Sequence, residues 1–247
     1  MASTTETGHA NNVANFESLI TSATAFGTSY NPSKDSIKVP ALQTLLTASK
    51  ESLNALNIAQ SAYSNAVAAR ESAFEPFSKL ITRVNNALKA SDTTVQVDES
   101  AQTIVRRLQG KRASAKLSDE DKKALEAEGK EVNQISAAQL SYDSKLENLD
   151  KLIMLLTSVP LYSPNEEDLK VESLKTLYSQ FKALNNDVLT ATIQLSNARI
   201  SRNDILYKPL TGLVDIAFDA KVYIKSVFGA TSPQFKQVSK LSFTIRN

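Results

Sequence analysis

Residues 36–45 read SIKVPALQTL and residues 168–177 read DLKVESLKTL, and this match at a spacing of 132 residues constrains the fold more than any other feature of the chain. At that spacing Tyr30, Pro32, Lys38, Val39, Leu42, Thr44 and Leu45 fall on Tyr162, Pro164, Lys170, Val171, Leu174, Thr176 and Leu177. Lys50, Asn54 and Ala59 fall on Lys182, Asn186 and Ala191, and Ser64, Asn65, Ala66 and Arg70 on Ser196, Asn197, Ala198 and Arg202. Two unrelated amphipathic helices share Leu and Ala by chance. They do not share Lys, Asn, Ser, Arg, Tyr and Pro in the same order, so common descent is the reading.

The match resumes at a spacing of 133, where Pro76, Leu80, Ala87, Val105 and Leu108 meet Pro209, Leu213, Ala220, Val238 and Leu241. Upstream, also at 133, Asn15, Leu19 and Ile20 meet Asn148, Leu152 and Ile153. One inserted residue rotates everything beyond it by about 100° on a continuous helix, so it is tolerated only where the helix is interrupted. Proline removes a backbone donor and clashes with the preceding turn, which places a break near Pro76 and Pro209. The other change of spacing falls between Ile20 and Tyr30, ahead of a Tyr-x-Pro loop.

Each repeat therefore reads as a short helix, a Tyr-x-Pro loop, a long helix, a helix after proline and a short tail. The first repeat predicts helices over 13–26, 36–73, 76–91 and 98–109, and the second over 141–158, 168–206, 208–228 and 233–241. Gly27, Gly110 and Gly229 stand just past helix ends, where glycine supplies the left-handed cap. Ser36 and Asp168 are the expected N-caps of the two long helices. Leu42, Leu45, Leu46, Leu53, Leu56, Ala59, Tyr63, Ala66 and Val67 recur in steps of three and four, one buried stripe on a helix about 57 Å long. The expected fold class is all-α: an elongated helical bundle built from two tandem, pseudo-two-fold-related helical repeats that pack as one domain. Residues 1–12 read as a flexible tail, 13–110 as the first repeat and 141–247 as the second. Residues 111–140 are a charged linker with a possible short helix from Ser118 to Gly129.

Few aromatic residues and no Trp suit helix packing on Leu, Ile, Val and Ala. Lys and Arg number 28 against 26 Asp and Glu, a balance that gives no sign of a phosphate-binding surface, so no nucleic acid is expected. No stretch approaches the roughly 18 apolar residues of a membrane span, and no secretory signal opens the sequence. The default expectation is a cytoplasmic protein, with signal-independent export left open.

Reactive constellations are missing from the pattern. His9 is the single histidine and there is no Cys, so a metal site and a Ser-His or Cys-His arrangement lack their parts. The six glycines form no phosphate-cradling loop. We expect no catalytic, cofactor-binding or metal residues, and no enzyme.

Four polar positions recur in both repeats: Asn65 and Arg70, Asn197 and Arg202. In heptad steps from Leu42, Arg70 falls on the apolar seam, and on a straight helix it lies about 80° away, at the stripe's edge. An arginine there either binds a ligand or partner, or packs its stem on the bundle and pairs its head with a carboxylate or carbonyl; the second is the expectation. The asparagines are expected to help fix the pairing of the halves. Arg106, Arg107, Lys111, Arg112 and Lys116 form the densest basic stretch, with no aromatic platform interleaved, and read as a solvated helix end. The stretch KLENLDKLIMLL at 145–156 could lie on a membrane, but its acidic residues and its match to 13–24 favour an ordinary core face.

The phrases NFESLI at 15–20, YNPSK at 30–34, SNAR at 196–199 and KSVFGATSPQFKQVSKLSF at 225–243 resemble a group of uncharacterised, internally duplicated helical proteins of Bacteroidota. The resemblance covers both repeats, with the linker least alike. It implies a duplicated helical fold and a bacterial source, and carries no activity. The functional expectation is a non-enzymatic structural or interaction protein that associates with itself into an oligomer or filament. Alternatives are a membrane-active helical protein of the pore-forming kind, and a small-ligand binder or enzyme using a cavity between the repeats.

Overall fold

The computed structural model describes residues 4–111 and 140–245, with side chains from residue 8 onward, and all regular structure among them is helical. Eight α-helices are described: α1 Thr4–Ala25, α2 Val39–Phe74, α3 Phe77–Lys89, α4 Val95–Gln109, α5 Tyr142–Thr157, α6 Val171–Tyr207, α7 Leu213–Phe228 and α8 Pro233–Ser239. The linker helix expected between Ser118 and Gly129, and the basic residues Arg112 and Lys116, lie outside the described residues.

Local chemistry accounts for most boundaries. Ser141 caps α5 by accepting from the Ser144 amide at 3.1 Å, and Ser232 caps α8 by accepting from the Phe235 amide at 3.1 Å. Gly110, at φ 67°, closes α4 in a left-handed turn in which the Lys111 amide returns to the Arg106 carbonyl at 2.9 Å. The breaks at proline fall where expected: α2 stops at Phe74 and α6 at Tyr207.

Two expectations need correction. The long helices do not start at Ser36 and Asp168, which sit inside 3-10 turns at Asp35–Ile37 and Glu167–Leu169. The Tyr30 hydroxyl donates to the Ile37 carbonyl at 2.7 Å and the Tyr162 hydroxyl to the Leu169 carbonyl at 2.7 Å. Each tyrosine holds a carbonyl that a continuous helix would use, so α2 and α6 begin at Val39 and Val171. Asp168 instead takes the Arg83 guanidinium. Burial pushes both phenols up from the ordinary 10.0 to about 12, helped by Tyr223 beside Tyr30 and by Asp168 and Glu166 beside Tyr162.

The second correction is the N-terminus. Residues 4–12 belong to α1, and His9 and Asn12 are buried. His9 Nδ1 lies 2.5 Å from the Tyr207 hydroxyl, and Asn12 Nδ2 donates to that same oxygen at 3.3 Å. A polar helix end becomes ordered when its polar groups find partners.

The described chain divides into two compact units, one built on the described residues of Met1–Ser64 and Ala191–Asn247, the other on those of Asn65–Thr190. The first unit packs α1 against α7 and α8, with Phe16, Leu19, Leu42, Leu206, Leu213 and Ile224 at its centre. The second packs α3 and α4 with α5, around Phe77, Ile81, Leu149, Leu152, Leu174 and Phe181. Leu146, Leu149, Leu152, Ile153 and Leu156 of the 145–156 stretch are all buried there. The units do not coincide with 13–110 and 141–247, the stretches expected from the sequence match to be repeats. Each takes its short first helix and the start of a long helix from one repeat, and its post-proline helices from the other. Within its own unit, the helix after Pro76 packs on α4.

Candidate interaction site

Between α6 and α7, residues 208–212 form a tight corner rather than the first turn of a helix that the periodicity predicts from 208. The Lys208 carbonyl accepts from the Gly212 amide at 2.7 Å and the Thr211 amide at 3.3 Å. Leu210 sits at φ 68°, a non-glycine residue in the left-handed region. For a residue with a Cβ that conformation costs about 1–2 kcal/mol. Its amide donates to Asp215 Oδ2 at 2.8 Å, and Asp215 stands in the first turn of α7, where a carboxylate also meets the positive end of the helix dipole.

Gly212 is required for contact rather than for φ. A Cβ there would lie 2.7 Å from the Lys208 nitrogen and 2.8 Å from its oxygen. Gly212→Ala is expected to lower stability by roughly 1–3 kcal/mol in urea unfolding, because backbone and not a flexible side chain must move.

Leu210 is 80% exposed. Beside it runs an open, apolar groove of about 490 Å³, formed by Ala41, Thr44, Leu45 and Ala48 of α2 with Leu210 and Ile216. The helix after proline starts at Phe77 in the second unit and at Leu213 in the first, and the buried Phe77, Ile81, Val84 and Leu88 of α3 correspond to the buried Leu213, Ala217, Ala220 and Ile224 of α7, so that Leu210 lies in the corner before the helix. Phe77 is buried, its ring edge-on to Phe181 at 5.3 Å and to Phe74 at 5.8 Å. The position matching Phe181 at a spacing of 132 is Ser49, buried, its hydroxyl turned back to the Leu45 carbonyl at 2.7 Å. With serine in place of the phenylalanine, the first unit lacks at this position the aromatic ring that Phe77 packs on.

The four polar positions shared by the repeats fall into two kinds. Asn65 and Asn197 are both exposed. Arg70 is half-buried, its guanidinium stacked 3.9 Å from the Tyr142 ring centre and its Nη1 3.5 Å from Asn185 Oδ1. Asn185 in turn donates to Asp143 at 3.0 Å. Arg202 is buried and donates through Nε and Nη2 to Asn203 Oδ1, at 3.1 and 2.9 Å. Both heads thus bond amide carbonyls, and neither lines the groove at Leu210. The residues that sequence reasoning missed are Leu210, Gly212 and the buried set His9, Asn12 and Tyr207. Carrying the 133 spacing through the corner would have exposed the first two, since Gly212 falls on Lys79 inside α3.

Among the described residues no group of three or more His, Cys, Asp or Glu is placed to hold a metal ion, and no helix is long and apolar enough to cross a membrane. No family model, no curated protein and no solved structure matches the chain.

Proposed function

We propose that this chain is a non-enzymatic interaction protein that associates with further copies of itself, with the Leu210 corner as the contact. The observation that carries the reading is Leu210 itself. Its backbone is in a region that glycine enters freely and leucine does not, and its side chain gains almost no burial in return. A leucine kept at a costly, exposed place beside an apolar groove is accounted for when a partner covers both. In a two-fold pair, Leu210 of each copy meets the groove of the other, a self-complementary contact that closes. We further read the two repeats as descendants of one module related by a pseudo-two-fold axis. The chain, on its resemblance, is read as bacterial.

Light scattering across a wide concentration range tests this with the wild-type chain, Leu210→Gly and Leu210→Asp. The wild type is expected to gain mass with concentration. Leu210→Gly is expected to fold about 1 kcal/mol more stably, by relief of the left-handed strain, while associating at least tenfold more weakly. Leu210→Asp should stay monomeric throughout. A wild-type chain that remains monomeric at high concentration removes the proposal.

A further inference from the structure

Both units set a helix after proline against a Tyr-x-Pro loop: α7 packs on the loop that ends at Ile37, and α3 on the loop that ends at Leu169. The two junctions are tied alike. In each, the tyrosine hydroxyl donates to the carbonyl seven residues on, and an ion pair joins the helix to the loop. With Phe77 set on Leu213, Arg83 falls on Asp219. Arg83 takes Asp168 and Asp219 takes Lys34, so the same helix position is used with the charges exchanged.

In the first unit Tyr223 of α7 closes the junction. Its ring stands edge-on to Tyr30 with centres 5.3 Å apart, and its hydroxyl accepts from the Asn31 amide at 3.2 Å. Pro32, next in the loop, is buried. In the same register the second unit has Ala87 at the position of Tyr223, facing a loop in which Tyr162, Ser163 and Pro164 stand for Tyr30, Asn31 and Pro32. Pro164 is only half-buried, and Asn86, Ala87, Ser163, Pro164 and Asn165 wall an open hollow of about 430 Å³. Among the described residues no ring stands against Tyr162, and the Ser163 amide has no acceptor.

A ring missing from a packed junction leaves a space of its own shape, and such a space takes up a free ring. We propose that this hollow binds a small phenol, its ring standing where Tyr223 stands in the other unit and its hydroxyl accepting from the Ser163 amide. The volume falls within the roughly 300–1,000 Å³ of small-molecule sites. The occupant is a free molecule rather than a tyrosine offered by another protein. Asn86, Asn165 and Glu166 at the rim are polar and exposed, and they give such a partner no apolar surface to bury. The site is complete within one copy and does not depend on association at Leu210.

Phenol and benzene are titrated separately into the isotopically labelled wild-type chain and followed by amide and methyl NMR. Phenol is expected to saturate with a Kd on the order of 1 mM and to give cross-relaxation from its ring protons to the Ala87 methyl. It should move the Ser163 amide to lower field than benzene does, because only phenol offers the amide an acceptor. Ala87→Tyr supplies the ring from the chain itself and should abolish the phenol-dependent shifts. No saturable shift up to about twenty times the expected Kd overturns the proposal. So do unchanged phenol shifts in folded Ala87→Tyr, and so does a Ser163 amide that answers alike to both rings. If Ala87→Tyr does not fold, the wild-type cross-relaxation decides: contact with the Ala87 methyl supports the site, and contact confined to residues elsewhere sinks it. N-acetyltyrosinamide is the last probe, and tighter binding by it than by phenol would overturn the assignment to a free molecule.

Discussion

Replacing Phe181 by Ala is expected to remove about 3–5 kcal/mol from the stability of the unit built on residues 65–190, a large share of the roughly 5–15 kcal/mol that a domain usually has. Phe181 is 1% exposed and its ring stacks on Phe74 with centres 3.8 Å apart. Phe77 meets it edge-on, and Tyr142 meets Phe74 edge-on at 4.9 Å. Truncation leaves a cavity among rings that cannot collapse into it, and forfeits aromatic pairs worth about 0.5–1.5 kcal/mol each. The companion change Ser49→Ala, at the matching position of the other unit, removes only a hydroxyl bonded to its own helix and should cost under about 1 kcal/mol. Urea unfolding followed by circular dichroism and by near-ultraviolet absorbance compares the two. Equal effects would mean that the units are built alike at this point, against the packing described.

The next largest effect is expected at alkaline pH. Tyr30 and Tyr162 have folded-state values near 12 against an ordinary 10.0. A raised value means that the folded state holds its proton after the unfolded state has released it. The associated stability is complete below pH 10 and is lost as pH rises from 10 towards 12. By linkage the loss is of order 2–3 kcal/mol for each phenol, since each is only 6% exposed. A spectrophotometric titration should show Tyr30 and Tyr162 ionising late and together with unfolding. Tyr30→Phe and Tyr162→Phe each leave a buried carbonyl without its donor, at Ile37 or Leu169, and should cost about 1–3 kcal/mol at neutral pH. The doubly substituted chain should nevertheless lose less stability between pH 10 and 12 than the wild type. An unchanged alkaline profile in the double variant would assign the loss to other groups.

Much of the helical layout was legible because it depends on short-range chemistry. Leucine spacing marks α2, the cap glycines mark helix ends, and the change of spacing at Pro76 marks a break that backbone geometry enforces. What was illegible depends on partners far away in the chain. His9 sits in a stretch with no apolar periodicity, and its order comes from Tyr207 and from the Asn12 pair with Thr244, more than 190 residues on. Ser36 and Asp168 look like caps, and only the tyrosine hydroxyls seven residues before Ile37 and Leu169 shift the helix starts. At the candidate site, the leucine pattern after Pro209 reads as uninterrupted helix. The corner is set by the Thr211 and Gly212 amides closing on the Lys208 carbonyl and by Asp215 holding the Leu210 amide, polar contacts that apolar periodicity does not contain.

One packing unit is built from two stretches of chain separated by the other unit, which has a consequence for how the protein is made. Residues 65–190 form an uninterrupted stretch, so that unit can close as soon as Thr190 has left the ribosome. The other unit needs α7 and α8, and its α1 face of Phe16, Leu19 and Ile20 must wait while the whole intervening stretch is synthesised. At typical elongation speeds the roughly 200 residues between α1 and its partners α7 and α8 take about 10–40 s. For that time the face of α1 that the folded unit buries is without its partners.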